Sequence, residues 1–146
     1  MKIRQMLPSD YDAVYTLWLA TPGMGLNTTD DSREGIEKYL RRNPNTCFVA
    51  ERDGEIIGVM LGGHDGRRGF LNHAAVKVSE RGNGVGRALL EHVMNALKAE
   101  GITKVALVCF KSNKTGNAFA EKTGFTARED LVYRNKAIAD ATRIDT

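Results

Sequence analysis

Cysteine is scarce in this chain. Its 146 residues include two, Cys47 and Cys109, both inside apolar strand-like runs. That setting predicts buried free thiols rather than a disulfide. The cysteines and the three histidines, His64, His73 and His92, show no zinc-ligand spacing, which argues against a structural metal. No apolar run approaches the roughly 18 residues needed to span a bilayer. The first residues, Met1-Lys2-Ile3-Arg4-Gln5, lack the apolar block of a signal peptide. A cytoplasmic protein with no membrane partner is the expectation. Strong charge of one sign is also missing: 21 basic against 18 acidic residues leave a net charge of +3. Such balance argues against a nucleic-acid partner, yet leaves room for a local basic neighbourhood around a phosphorylated ligand. There is no internal repeat and no low-complexity tract.

What is present reads as one domain, 1–146, large enough to bury about two-thirds of its unfolded surface. Lys2 to Leu7 alternates loosely and stops at Pro8, a first strand. Ser9 to Asp12 has the capping-box pattern. Tyr11, Val14, Tyr15 and Trp18 then recur at helical spacing as far as about Ala20. Thr21-Pro22-Gly23 breaks that helix. Asp30-Asp31-Ser32 offers a second cap, before the helical stripe Ile36, Tyr39 and Leu40. Thr46 to Val78 reads as an antiparallel meander of three strands, its first turn marked by Asp53-Gly54. Val85, Leu89, Val93 and Ala96 define the strongest helix, stopped by Gly101. Val105 to Phe110 is a continuous apolar run, suited to a strand buried on both faces. Asn113 caps a helix from Lys114 to Thr123, and Phe125 to Tyr133 supplies one or two last strands. Residues 138–146 carry no pattern and are expected to fray. The sum is an α/β fold with a mixed sheet, and a strand–helix–strand unit in it implies a right-handed parallel crossover.

Between that unit's first strand and its helix lies Arg81-Gly82-Asn83-Gly84-Val85-Gly86. Glycines at alternate positions remove the Cβ atoms that hold a ligand away from the backbone. The helix start behind them adds roughly half a positive charge. A glycine-rich strand-to-helix turn of this kind reads as a phosphate cradle, with a plain glycine turn as the alternative. It is not the dinucleotide fingerprint, because position 87 is Arg where a third glycine is required, and it lacks the Gly-Lys-Ser/Thr end of a Walker loop. Arg81, Gly84 and Gly86 do satisfy Arg/Gln-x-x-Gly-x-Gly/Ala after a strand.

Val76, Val78, Arg81, Gly82, Gly84, Gly86, Ala88, Leu89 and Leu90 together resemble the acetyl-CoA motif of the GNAT superfamily of N-acetyltransferases. A second segment, Asn113, Gly116, Glu121-Lys122 and Gly124-Phe125, is similar to that family's Asn-x-x-Ala…Tyr-Glu-Lys-x-Gly-Phe, with Gly for Ala at 116. The order of elements matches across nearly the whole chain. The Gly63 to Gly69 loop, Trp18, Arg33-Glu34 and Arg42-Asn43-Pro44 look like a bacterial branch of small stand-alone members. The resemblance implies a mainly antiparallel sheet flanked by helices, with a splayed parallel pair at the cofactor site. It implies acetyl-CoA as donor, with CoA as product. The pantetheine arm would lie along Val76, Lys77 and Val78, and the pyrophosphate on Arg81, Gly82, Asn83, Gly84, Val85 and Gly86. Asn113 and Gly116 would sit on the pantetheine side, with Arg87, Lys111 and Lys114 as candidates for the outer phosphate. Small relatives often pair through sheet edges, so a homodimer is an expectation by analogy.

The implied reaction is direct transfer of an acetyl group to a primary amine, of a small molecule or a peptide, in a ternary complex. Such an amine must first lose a proton, and a base does this. His73, three residues before Val76, is the candidate, with a core histidine as the alternative. Strict alternation would put residues 71 and 73 on one face and 70 and 72 on the other. The family's tyrosine donor falls at Ala120 here, so Tyr133 is the substitute candidate. His64 and Asp65 stand either as acceptor contacts or as a plain exposed turn. Trp18, Met24, Leu26, Asp30 and Asp31 occupy the region that walls the acceptor site in the family, with core packing against the sheet as the alternative for Trp18 and a helix start as the alternative for Asp31. The alternative to an enzyme is an acetyl-CoA-binding sensor, in which the missing tyrosine reflects lost chemistry.

Overall fold

Local chemistry sets where the first elements begin and end. The structure, a computed structural model, covers residues 1–146. Lys2–Gln5 (β1) is followed by a short 3-10 turn, Pro8–Asp10, and the helix Tyr11–Leu19 (α1). The expected Ser9 cap is replaced by Asp10. Its carboxylate accepts the Leu7 N–H at 2.8 Å and grips the Arg4 guanidinium at 2.8 and 2.9 Å. Burial pushes the Asp10 carboxyl up, but Arg4 and the Leu7 N–H outweigh it and hold it below the usual carboxylate range. A carboxylate can cap a turn and neutralise a half-buried arginine together, which a serine hydroxyl cannot.

Leu26–Asn27 (β2) precedes the helix Arg33–Arg42 (α2), whose cap is the expected Ser32, accepting the Gly35 N–H at 3.0 Å. Cys47–Arg52 (β3), Glu55–His64 (β4) and Gly69–Val76 (β5) form the meander. Asp53 and Gly54 both have positive φ, 52° and 78°, the type I′ geometry whose twist matches a two-residue hairpin. Val85–Ala99 (α3), Val105–Ala106 (β6), Lys114–Lys122 (α4) and Arg143–Ile144 (β7) complete the chain. The main sheet runs β1-β3-β4-β5-β6, with β5–β6 its single parallel pair. Two cores flank it. Val14, Trp18, Leu40, Val49 and Val59 pack beneath α1 and α2. Ile57, Met60, Leu71, Leu89 and Val93 pack beneath α3. No helix is long and apolar enough to cross a membrane.

The carboxyl-terminal third departs from expectation. The run 105–110 forms a strand only at Val105–Ala106. It is not buried on both faces: Val108 is 55% exposed and Phe110 43%. The reason is the missing neighbour. Residues 125–133 form no strand, so β6 remains the sheet's edge. Cys109 is accordingly half-buried rather than buried, while Cys47 is buried, and burial pushes its thiol up to about 12. The tail expected to fray instead pairs, Arg143 opposite Asn27 and Ile144 opposite Leu26.

Candidate active site

β5 ends in a 3-10 turn, Val78–Glu80, and leads through Arg81–Gly84 into α3. Gly82 and Gly84 have φ of 79° and 80°, a region that costs a residue with a Cβ about 1–2 kcal/mol. Those two left-handed residues turn successive N–H groups outward. None of the backbone N–H groups from Gly82 to Arg87 donates a hydrogen bond within the protein. A Cβ on Gly82 or Gly84 would meet no atom within 4 Å, so the space over the turn is open. Gly86 is there for a different reason: a Cβ would come within 3.2 Å of the Phe119 ring. Arg81 folds back, its Nε donating to the Val76 carbonyl at 3.3 Å. Arg87 lies exposed just after the turn and Lys111 and Lys114 lie exposed around the start of α4, and none of them forms an ion pair.

The parallel pair is brief. Gly69 faces Val105 and Phe70 faces Ala106, and beyond them β5 continues to Val76 without β6 beside it. The gap therefore runs along the carboxyl half of β5 toward Val76, Lys77 and the glycine turn. Lys77 is tied to Glu55, and Val78 is exposed. Asn113 caps α4, its Oδ1 accepting the Gly116 N–H at 2.9 Å. A Cβ on Gly116 would stand 2.7 Å from the Asn113 amide nitrogen, which accounts for glycine where alanine was expected. Ala120 is buried in the last turns of α4.

His73 sits at a break in the register. Val59 opposes Ala75 and Leu61 opposes Asn72, so Met60 alone faces both His73 and Ala74. This is a β-bulge, and His73 adopts its left-handed position with φ of 51°. The extra residue overturns the strict alternation expected along β5. Leu71 packs under α3, while His73 turns to the opposite side, against α1 and the loop before α2. There its Nε2 meets Asp31 Oδ1 at 2.5 Å, and its ring lies edge-on to Trp18, 5.1 Å between centroids. The Trp18 indole N–H donates to the His73 carbonyl at 3.0 Å. Asp31 is only 3% exposed, and its other oxygen accepts the Asn27 N–H at 2.7 Å. With Nε2–H given to a carboxylate, the imidazole presents Nδ1 as its lone pair.

Trp18 and Leu26 do not wall an open site as expected. They are 0% and 1% exposed: Trp18 packs from α1 into the core on that side of the sheet, and Leu26 joins it from β2. Asp31 is likewise buried, engaged by His73 rather than open to a solute. Met24 is half-buried and Asp30 exposed, its carboxylate accepting from the Asn27 side chain at 2.7 Å. Tyr133 is 68% exposed on a stretch without strand partners and makes no hydrogen bond through its hydroxyl. His64 accepts the Gly66 N–H at 3.0 Å, and His92 bonds the Ala88 carbonyl within its own helix.

A cleft of about 790 Å³ opens between α2 and the facing ends of β4 and β5, reaching Asn72, the neighbour of His73. Asp30, Glu34, Lys38, Tyr39, Arg42 and Arg68 lie along it. The Asn72 amide donates to the Tyr39 hydroxyl at 3.2 Å, and burial pushes that phenol up to about 12. Sequence reasoning missed Tyr39, Glu34 and Arg42. The signal for Glu34 and Arg42 was the exposed stripe Glu34, Lys38, Arg42 at four-residue spacing on a capped helix.

A mostly antiparallel sheet that opens at its one parallel pair, with a glycine turn at the mouth, defines the fold class of the N-acetyltransferases. The acetyltransferase (GNAT) family model matches residues 11–125. The chain therefore belongs to that family and is an acetyltransferase. A protein of Photorhabdus laumondii named acetyltransferase is 32% identical, the match covering 96% of this chain and 98% of that one. The fold is similar to that of Ard1 from Thermoplasma volcanium, with a TM-score of 0.74 at 22% identity, over 84% of this chain and 80% of that one. A Mycobacterium tuberculosis protein solved in complex with CoA has a TM-score of 0.64 at 17% identity, over 82% of this chain and 70% of that one.

Proposed function

We propose that residues 1–146 act as one catalytic domain that uses acetyl-CoA to acetylate a primary amine by direct transfer, with His73 as general base. The observation that carries this reading is the His73–Asp31 pair, set by a bulge on the strand that borders the gap and leads to the glycine turn. The free N–H groups of Gly82 to Arg87 and the open space above them fit a pyrophosphate. Val76, Lys77 and Val78 would flank the pantetheine arm. Bound there, acetyl-CoA supplies the acetyl group as an activated thioester.

The chain's own residues prepare the acceptor. His73 Nδ1 takes a proton from the amine as it becomes a nucleophile. Asp31 holds the imidazole by Nε2 and offsets the positive charge the ring then carries. Because Asp31 is buried and anchored by the Asn27 N–H, the ring direction is set before substrate arrives. Trp18 fixes the backbone of the same residue through its indole N–H. Holding both reactants at one strand contributes further through placement. Ala120 is apolar and Tyr133 is exposed on a stretch without strand partners, so solvent returns a proton to the departing thiolate.

A panel of primary amines with acetyl-CoA, assayed with wild-type protein and His73→Gln, tests this. The variant should lose about 10²-fold or more in kcat/KM, the usual contribution of a general base, with acetyl-CoA affinity retained by calorimetry. Wild-type rates in the variant would remove His73 from the mechanism. Failure of the wild type to bind acetyl-CoA would overturn the whole reading.

A further inference from the structure

The cleft that reaches Asn72 is polar in two senses: it is lined mainly by hydrophilic side chains, and its charge changes along its length. Asp30 and Glu34 stand at the amino end of α2, and Lys38, Arg41 and Arg42 toward its carboxyl end. From Glu34 to Arg42 the helix advances roughly 12 Å, at about 1.5 Å per residue. At the basic end, Lys38, Arg41, Arg42, His64 and Asp65 border a side pocket of about 490 Å³ with no hydrophobic residue in its lining. Arg68 joins them from the β4–β5 loop. Lys38, Arg41, Arg42 and Arg68 form no ion pair.

Two carboxylates stand at that end, and neither pairs with these cations: Glu100 lies 3.8 Å from the His64 ring. Asp65 is turned into its own loop, accepting the Arg67 and Arg68 N–H groups at 2.8 and 2.7 Å. The pull of a helix carboxyl end on cations explains Arg41 and Arg42. It does not explain Arg68, which arrives from another element, or Lys38, a turn earlier. In a chain whose net charge is only +3, three unpaired cations lining one cleft, Lys38, Arg42 and Arg68, with Arg41 in the side pocket beside them, mark a place for an anion.

Distance and shape narrow the ligand. His73 lies five residues beyond Arg68, the last loop residue before β5, so their backbones stand at most roughly 16 Å apart at about 3.3 Å per residue. An amino acid or small phosphorylated amine is too short to reach both. An extended peptide advances about 3.3–3.6 Å per residue, so its third to fifth residues would fall against the long basic side chains. Small-molecule sites enclose most of their ligand, whereas this cleft is open and only two of its 16 lining residues are hydrophobic. Building on the acetyl-transfer reading, we infer that the acceptor is a peptide amino terminus followed by acidic side chains, its amine at His73 and its carboxylates against Lys38, Arg42 and Arg68.

The test uses the full chain, acetyl-CoA and three hexapeptides that differ only at positions three to five, which carry glutamate, glutamine or lysine. Phosphoethanolamine serves as a small anionic amine. The glutamate peptide should exceed the glutamine peptide by about tenfold in kcat/KM, with the lysine peptide lowest. In an Arg42→Ala/Arg68→Ala variant of unchanged melting temperature, the glutamate-to-glutamine ratio should fall toward one. Equal rates on all three peptides would overturn the inference and leave acetyl transfer standing. Faster turnover of phosphoethanolamine than of any peptide would overturn it in favour of a small anionic acceptor. Bound acetyl-CoA with no turnover of any amine would remove the acetyl-transfer reading along with it.

Discussion

Asp31→Asn is the sharpest perturbation of the proposed chemistry, because it changes no shape and only one pattern of donors. The Asp31 carboxylate accepts on both sides, from His73 Nε2 at 2.5 Å and from the Asn27 N–H at 2.7 Å. An asparagine has one accepting and one donating end. If its oxygen stays with Asn27, its amide donates to Nε2 and the imidazole proton moves to Nδ1, the atom that has to accept from the amine. If it flips, its amide confronts the Asn27 N–H and leaves two donors face to face at a buried site. The first arrangement preserves the backbone contact, and it disables the base. Loss of a hydrogen bond to a charged group costs about 1.5–3 kcal/mol. At roughly 3 °C per kcal/mol for a chain of this size, the melting temperature should fall by about 4–9 °C. The rate should fall further than stability implies, by about 10²–10³ in kcat/KM, within the range a general base contributes. Initial rates, calorimetric acetyl-CoA affinity and thermal unfolding of the same preparation separate these effects. Unchanged acetyl-CoA affinity with collapsed kcat is the expected outcome. A variant with wild-type kcat/KM would refute the assignment of Nδ1 as the base.

Three other outcomes follow from geometry. Gly84→Ala places a Cβ in open space but at φ of 80°, so it should cost about 1–2 kcal/mol and weaken acetyl-CoA binding by calorimetry as the turn relaxes; unaltered affinity would count against the cradle. Gly62→Ala pushes a Cβ to 2.5 Å from Val93 and 2.7 Å from the Thr46 carbonyl, an overpacking that should cost about 1–3 kcal/mol in urea unfolding. Asp10, whose carboxyl is held below its ordinary value, contributes stability that is present above the unfolded pKa near 3.9 and lost as pH falls through the lower folded value. Asp10→Asn should therefore be less stable than wild type at pH 7, by about 1.5–3 kcal/mol. That gap should narrow toward pH 2, and a gap independent of pH would contradict the Arg4–Asp10 coupling.

Much of the site was legible because it rests on local rules. The Arg81 to Gly86 turn announces itself, since alternate glycines before an amphipathic helix have few other uses. Ser32 and Asn113 were recognisable as caps, each accepting an N–H three residues on. Asp53-Gly54 specified its hairpin. Reading failed wherever the outcome depended on a distant neighbour. Val108 and Phe110 look like a doubly covered strand, yet coverage requires another strand on the far side, and no property of residues 105–110 can supply one. Ile144 carries no local strand signal, and it pairs because Leu26 is placed to receive it.

His73 marks the boundary between the two kinds of information most clearly. The sequence by itself determined the periodicities, the caps, the glycine turn and the presence of a titratable ring three residues before Val76. Each of these follows from interactions within a few residues, where side-chain type and spacing suffice. Only the tertiary structure decided which way that ring faces. An extra residue opposite Met60 turns His73 from the α3 side to the α1 side, and a register shift belongs to a pair of strands rather than to either one. The same holds for Asp31, which is 42 residues away in the chain and meets His73 only because the loop before α2 folds onto the sheet. A carboxylate that looked free to greet an amine is instead the buried partner of the imidazole.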